Sequence, residues 1–203
     1  MNSNSQLGQE EWVLKKLNNK RDGYFIDSGA CDGIYLSNTL KLEKELGWNG
    51  ICVEPLPSFI ETLKSVRCCN IIQCGLDTTE RVFKLRDAHA NSRLEDAGSL
   101  EVQCYRIETV LEMFKAPDLI DYWSLDIEGN ELSILESFPW DRYHINCLTV
   151  EHNTNVSEQD EPGLEQRKIN RAKVHELLKS KGFIWEMSVI CDDFFYNENI
   201  RWK

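Results

Sequence analysis

Several mainly apolar runs in this sequence end on an acid. Asp27 closes Tyr24-Phe25-Ile26, Glu54 closes Gly50-Ile51-Cys52-Val53, Asp126 closes Ile120 to Leu125 and Glu151 closes Ile145 to Val150, while Asp77 comes soon after Cys69 to Cys74. Runs of this length and bulk read as buried strands, which puts the acids at strand ends. Carboxylates in such places can accept hydrogen bonds from hydroxyls, hold a cation through oxygen ligands or carry a proton. Gly29 and Gly33 lie in Asp27-Ser28-Gly29-Ala30-Cys31-Asp32-Gly33, Glu128 and Gly129 follow Asp126, and His152 and Asn153 follow Glu151.

Each group suggests a particular chemistry. Gly29 and Gly33 allow a tight turn and close approach of backbone to a ligand. The third glycine of a dinucleotide fingerprint is missing, and Asp27 and Asp32 would repel a pyrophosphate. A cationic ligand without phosphate fits better, and S-adenosylmethionine carries a sulfonium and an ammonium. Glu54 can accept both hydroxyls of a ribose, a role that supports adenosine binding without choosing the cofactor. Asp126 leaves the fourth strand where a methyl donor would meet its acceptor, with Glu128 close behind. His152 can act as a general base toward an acceptor hydroxyl. Alternatively, Asp126, Glu151 and Asn153 can hold a divalent cation such as magnesium or manganese. Asn130 can cap the helix that follows it.

These residues need a scaffold that gathers strand ends. Strand-like and helix-like periodicities alternate along the chain. Helical spacing covers Leu36 to Leu46, Ser58 to Val66, Glu108 to Phe114, Glu131 to Phe138 and Glu165 to Lys181. Segments 81–86 and 100–107 alternate apolar and polar residues, as a half-exposed hairpin would. Phe183 to Ile190 and Phe194 to Asn197 follow as strands with no helix between them. The expectation is a single α/β domain over 1–203: a mostly parallel, seven-stranded sheet with helices on both faces and an antiparallel C-terminal hairpin at one sheet edge. In open α/β sheets, ligands bind beyond the carboxyl ends of the strands, where the acids stand.

Composition limits the partners. The chain has 203 residues, 23 Lys+Arg against 34 Asp+Glu, and a formal charge of −11. That surplus argues against a surface that grips a nucleic-acid backbone. Hydrophobic residues at 41% and charged residues at 28% fit a globular domain and exclude a disordered or coiled-coil chain. No apolar run is long enough to span a bilayer, and the N-terminus does not read as a signal peptide. The 8 cysteines form no CxxC pair, so they read as reduced thiols of a cytoplasmic protein. His89, His144 and His175 have no evident chemical company and read as surface or helix residues.

The order of these motifs resembles the FkbM family of S-adenosylmethionine-dependent methyltransferases, which has a class I, Rossmann-like fold. The resemblance starts at Ser5-Gln6-Leu7-Gly8-Gln9-Glu10-Glu11-Trp12 and runs through Phe25 to Gly33, Ser37-Asn38-Thr39 and Gly47 to Pro55. It continues in Ile120 to Glu131 and Val150-Glu151-His152-Asn153. It implies O-methylation of a sugar hydroxyl on a glycan or glycoconjugate, with a deoxysugar such as rhamnose or fucose as the first candidate. It also implies cofactor contacts from Asp27, Gly29, Ala30, Asp32, Asn38, Glu54, Asp77 and Asp126, with Gln6 and Gln9 in an N-terminal helical segment, 1–22, that closes over the cofactor. Asp126, Glu128 and His152 form the implied active-site set. Trp123, Trp140, Tyr143 and Trp185 are candidates for stacking against sugar rings, with core packing as the competing role.

Overall fold

The computed structural model describes residues 5–86, 93–94, 100–154 and 163–201. Helix α1 (Gln9–Lys16) precedes β1 (Tyr24–Ser28), α2 (Leu40–Leu46), β2 (Asn49–Val53), α3 (Pro57–Val66) and β3 (Asn70–Ile72). Four short strands follow: β4 (Gly75–Leu76), β5 (Arg81–Arg86), β6 (Arg93–Leu94) and β7 (Leu100–Tyr105). The chain continues with α4 (Ile107–Met113), β8 (Leu119–Leu125), α5 (Glu131–Ser137), β9 (His144–Glu151), α6 (Leu164–Ser180), β10 (Phe183–Val189) and β11 (Asp192–Asn197).

The main sheet has seven strands in the order β10-β11-β9-β8-β1-β2-β3. From β3 to β9 neighbouring strands are parallel, and β11 runs antiparallel to both β9 and β10. Successive strand residues point to opposite faces, so a sheet covered on both sides needs unbroken apolar runs. The pairs Phe25/Ile26, Ile51/Cys52, Tyr122/Trp123, Cys147/Leu148 and Phe194/Phe195 each divide between two cores. One core joins the sheet to α4, α5 and α6, and the other joins it to α1, α2 and α3. This is the class I methyltransferase architecture that the sequence implies.

Three elements differ from the sequence expectation. Helix α2 starts at Leu40 instead of Leu36, whose φ is +55°. The Ser37 hydroxyl accepts the Leu40 amide at 3.2 Å and Glu10 accepts the Lys41 amide at 2.7 Å, which satisfies the first turn at that point. The third strand stops at Ile72, and Gly75–Leu76 leaves the main sheet to pair parallel with Cys104–Tyr105. The expected hairpin of 81–86 with 100–107 forms as β5 against β7, but it belongs to a separate four-stranded sheet, β4-β7-β5-β6. Leu85 and Val102 of that sheet pack against Leu56 and Phe59 at the start of α3.

Candidate functional site

The strand register aligns the acids. Ser28 pairs with Leu125, Leu125 with Val150, and Glu151 with Asp192. One residue beyond the first two pairs, Gly29, Asp126, Glu151 and Asp192 stand in a row across β1, β8, β9 and β11. Carboxylate oxygens of Asp126, Glu128 and Glu151 lie within 4.8 Å of one another. A Cβ on Gly29 would sit 1.9 Å from the Asp126 carbonyl oxygen, and Gly29 has a φ of +87°. Only glycine lets these two strand ends meet.

A cavity of about 430 Å³ opens at this end of the sheet. Gly29, Glu54, Asp77, Asp126, Glu128 and Asn130 form its polar edge, and Leu56, Phe59, Leu76, Phe83, Leu85 and Ile127 form an apolar wall. Size and lining suit a small organic ligand with a few oriented polar groups. Glu54 is 3% exposed. Its two oxygens accept the amides of Cys31 and Leu56, each at 2.8 Å. Burial pushes its carboxyl up to about 7 despite those two donors. Burial also pushes Asp126 and Glu151 well above the ordinary carboxylate range, and each feels other carboxylates, including Glu128 and Glu131.

Other residues singled out in the sequence do not line the cavity. Asp27 lies beneath the loop, where it accepts a hydrogen bond from the Thr39 hydroxyl at 2.5 Å and lies 3.7 Å from Arg67 Nη1. Asp32 turns the loop by accepting the amides of Ile34 and Tyr35 at 2.9 and 2.8 Å. The Ala30 amide donates to the Val53 carbonyl. Asn38 donates to the Ser124 hydroxyl and accepts the Gln6 amide. Gln9 Nε2 donates to Asp192 Oδ2 at 2.7 Å. Among the described residues of the N-terminal segment, none lines the cavity.

His152 is buried and is not among the residues that line the cavity. Its Nδ1 accepts the Thr154 amide at 3.1 Å, and its Nε2 lies 4.0 Å from Asp193 Oδ1 without a hydrogen-bond partner. Burial lowers its pKa to about 4, so the ring is neutral near pH 7. The Nδ1 lone pair is taken up by the Thr154 amide in this arrangement. Asn153 donates to Glu128 Oε2 at 3.4 Å. His175 does have company: it lies 2.7 Å from Asp193, which also accepts Arg171. His89 lies outside the described residues. Asn130 stands at the N-cap position of α5 but makes no side-chain cap hydrogen bond; its amide reaches the Leu76 carbonyl, while Glu131 accepts the Ile127 and Gly129 amides. Trp123 and Tyr143 are core residues. Trp140 packs on Phe138, and Trp185 is exposed with its indole on Asp193.

Sequence reasoning missed Asp192 and the wall formed by Phe83 and Leu85. The signal for the wall was the alternation of β5, and the signal for Asp192 was an acid pair, Asp192-Asp193, opening an otherwise aromatic strand.

A family model described as the methyltransferase FkbM domain matches residues 27–184. Among solved structures, a precorrin-6y C5,15-methyltransferase from Geobacter metallireducens GS-15 is 11% identical, with a TM-score of 0.51 over 92% of this chain and 85% of that one. A SAM dependent methyltransferase from Aquifex aeolicus is 14% identical, with a TM-score of 0.46 over 92% and 88% of the two chains. A putative rRNA-methylase from Clostridium thermocellum is 11% identical, with a TM-score of 0.46 over 96% and 97%. Comparison with curated proteins gave no match. The family match covers most of the chain, including the Gly29 turn, Glu54 and the Asp126–Glu151 row. This chain belongs to the FkbM family of S-adenosylmethionine-dependent methyltransferases.

Proposed function

We propose that this methyltransferase acts on a hydroxyl of a neutral sugar carried by a glycan or glycoconjugate, with a deoxysugar such as rhamnose or fucose as the first candidate on family resemblance. The observation that carries this reading is the charge of the cavity edge. Glu54, Asp77, Asp126 and Glu128 line it, and among its described lining residues Arg81 is the one cation. Carboxylates accept hydrogen bonds from sugar hydroxyls and repel phosphate-rich acceptors, so nucleic acid is a poor fit. No helix among the described residues is long and apolar enough to cross a membrane. The free thiols suit the reducing cytoplasm.

The residues fit the cofactor. Glu54 is held by two amides in the position to accept ribose hydroxyls, and Leu56, Phe59, Phe83 and Leu85 offer an apolar wall to the adenine. When bound, S-adenosylmethionine supplies an electrophilic methyl group on a sulfonium. Gly29 keeps the β1 end against Asp126, which brings the cofactor loop and the acid row together. Asp126 and Glu128 then accept hydrogen bonds from the acceptor and orient its hydroxyl. Positioning of this kind supplies much of the rate, and a carboxylate of the row takes the hydroxyl proton. A divalent cation among the same oxygens would serve the same step. His152 positions the end of β9 through its bond to Thr154.

The test is mass spectrometry with linkage analysis after incubation of a panel of neutral glycans with protein and labelled cofactor. A methyl ether on a sugar ring is expected. Methylation of a non-sugar panel with none on glycans would overturn the sugar reading. Calorimetry with S-adenosylhomocysteine tests the cofactor assignment, and Glu54→Ala should weaken binding.

A further inference from the structure

Strand β5 presents a graded face to the cavity. Arg81, Phe83 and Leu85 alternate along it and all three line the cavity, while Val82 between them is exposed. Leu85 is buried, Phe83 is half-buried and Arg81 is exposed, so the strip turns polar toward solvent. The Arg81 guanidinium carbon lies 4.6 Å from the centroid of the Phe83 ring, and its Nη2 lies 3.6 Å from Asp77 Oδ2. Register sets up this meeting: Cys104 of β7 pairs with Gly75 on one side and with Arg81 on the other. Asp77 Oδ1 accepts the Thr78 amide at 2.7 Å, while the contacts of Oδ2, with Thr79 Oγ1 at 3.4 Å and with Arg81, are long. An apolar strip that ends in a donor beside an acceptor suits a flat ring with a polar edge. The Asp77 carboxylate offsets the charge of the arginine, so that edge is better neutral than anionic.

We propose that Arg81 reads the adenine base of the cofactor, donating to ring nitrogen N1 while Asp77 accepts the N6 amino group. Adenine sets a donor, the amino group, next to an acceptor, N1, and Asp77 and Arg81 supply the complementary acceptor and donor side by side. N1 is the most basic ring nitrogen of adenine, which suits a charge-assisted bond from a guanidinium. The Phe83 ring holds the guanidinium in place, so less side-chain freedom is lost on binding. Hypoxanthine and guanine put an oxygen acceptor where adenine has its amino group and a donor at N1, which opposes both residues. Base specificity then comes from the four-stranded sheet that contains β5, outside the seven-stranded one. This role rests on the cofactor assignment above and adds to it a residue that decides which base is accepted.

The test is calorimetry of the full chain with S-adenosylhomocysteine and with its 1-deaza analogue, in which a C–H group replaces N1. Wild type should bind the analogue about tenfold or more weakly, the usual loss for one charge-assisted hydrogen bond. Arg81→Met should lose about as much affinity for S-adenosylhomocysteine and bind the two ligands equally. The Arg81 side chain is 57% exposed, so its removal should leave the fold intact, which thermal melting checks, and Arg81→Ala serves as the second variant. S-inosylhomocysteine, with oxygen in place of the amino group, should bind wild type more weakly than S-adenosylhomocysteine. Equal affinity of wild type for the parent and the 1-deaza analogue would overturn the role of Arg81. Folded Arg81 variants that weaken both ligands alike and keep the wild-type gap would overturn it too, because a purely structural arginine behaves that way. Binding of S-inosylhomocysteine as tight as the parent would overturn the pairing with Asp77. Binding of none of the three ligands by wild type overturns the cofactor assignment itself, and the base reading with it.

Discussion

Asp27 and Asp126 carry the same signal in the sequence, an acid at the end of an apolar run, and the fold gives them opposite surroundings. Asp27 is met by Thr39 and Arg67. The Arg67 side chain is fully buried, with Nε 2.7 Å from Glu43 and Nη2 donating to Thr39 at 2.7 Å. Asp126 is met by other acids, Glu128 and Glu151 within 4.8 Å. Arg67 follows α3, far along the chain from β1, and its arrival turns one strand-end acid into structure. The other, without such a cation in its group, stays available for a ligand. Whether a strand-end carboxylate serves stability or chemistry is decided by what a distant element delivers to it.

The sharpest way to break this contrast is Arg67→Met. It leaves Asp27 buried without its cation and Glu43 with only the part-exposed Lys44, and breaking a buried pair in this way costs about 3–5 kcal/mol. Chemical denaturation should show a loss of that order. A triple variant with Asp27→Asn and Glu43→Gln should recover much of it, because the uncompensated charges are gone. A loss near zero for Arg67→Met would show that the network is not what holds Asp27.

Gly29→Ala attacks the point where the two regions touch. The new Cβ would sit 1.9 Å from the Asp126 carbonyl at a φ that favours glycine. The strand ends must separate, at an expected cost of about 2–4 kcal/mol from strain and overpacking. S-adenosylhomocysteine affinity should fall with it. Wild-type affinity and stability in this variant would mean that the contact is loose.

The scaffold was legible in the sequence because burial on both faces leaves unbroken apolar strands such as Phe25-Ile26 and Tyr122-Trp123. The acids at their ends were legible for the same reason, since polarity reappears where the sheet stops. The partners of each acid were not. Nothing local in Asp27-Ser28-Gly29 foretells Arg67, and nothing in Glu165 to Lys181 shows that His175 will meet Asp193. Asp192 joins the row only because β11 inserts between β9 and β10. The hairpin itself was evident, but its order in the sheet depends on long-range packing. Gly75–Leu76 is too short for any periodicity to mark it as a strand, which hid the separate small sheet.

Glu54 stands between the two cases, held by backbone amides and by no charged side chain among the hydrogen bonds it makes. Its carboxyl titrates at about 7, and ribose hydroxyls donate to the ionised form. Below that value a proton must leave before the cofactor binds. Affinity for S-adenosylhomocysteine should therefore rise with pH up to about 7 and then level, with a slope of up to about tenfold per pH unit. Glu54→Gln should flatten the slope. Calorimetry from pH 5 to pH 8 reads both, and a wild-type affinity independent of pH would remove Glu54 from the cofactor contacts.

The smallest expected effect has the opposite sign. Asp126→Asn replaces an acid that burial and neighbouring carboxylates make costly to ionise with a neutral amide, so the variant should be more stable than wild type by about 1 kcal/mol. Arg67→Met and Asp126→Asn both disturb a strand-end carboxylate, yet one should weaken the fold and the other strengthen it. Methyl transfer should nevertheless fall by about 10²–10⁴-fold in Asp126→Asn if Asp126 orients the hydroxyl or takes its proton. A variant that melts below wild type in metal-free buffer would show that Asp126, like Asp27, is held by a structural partner, and the division between the two acids would fail.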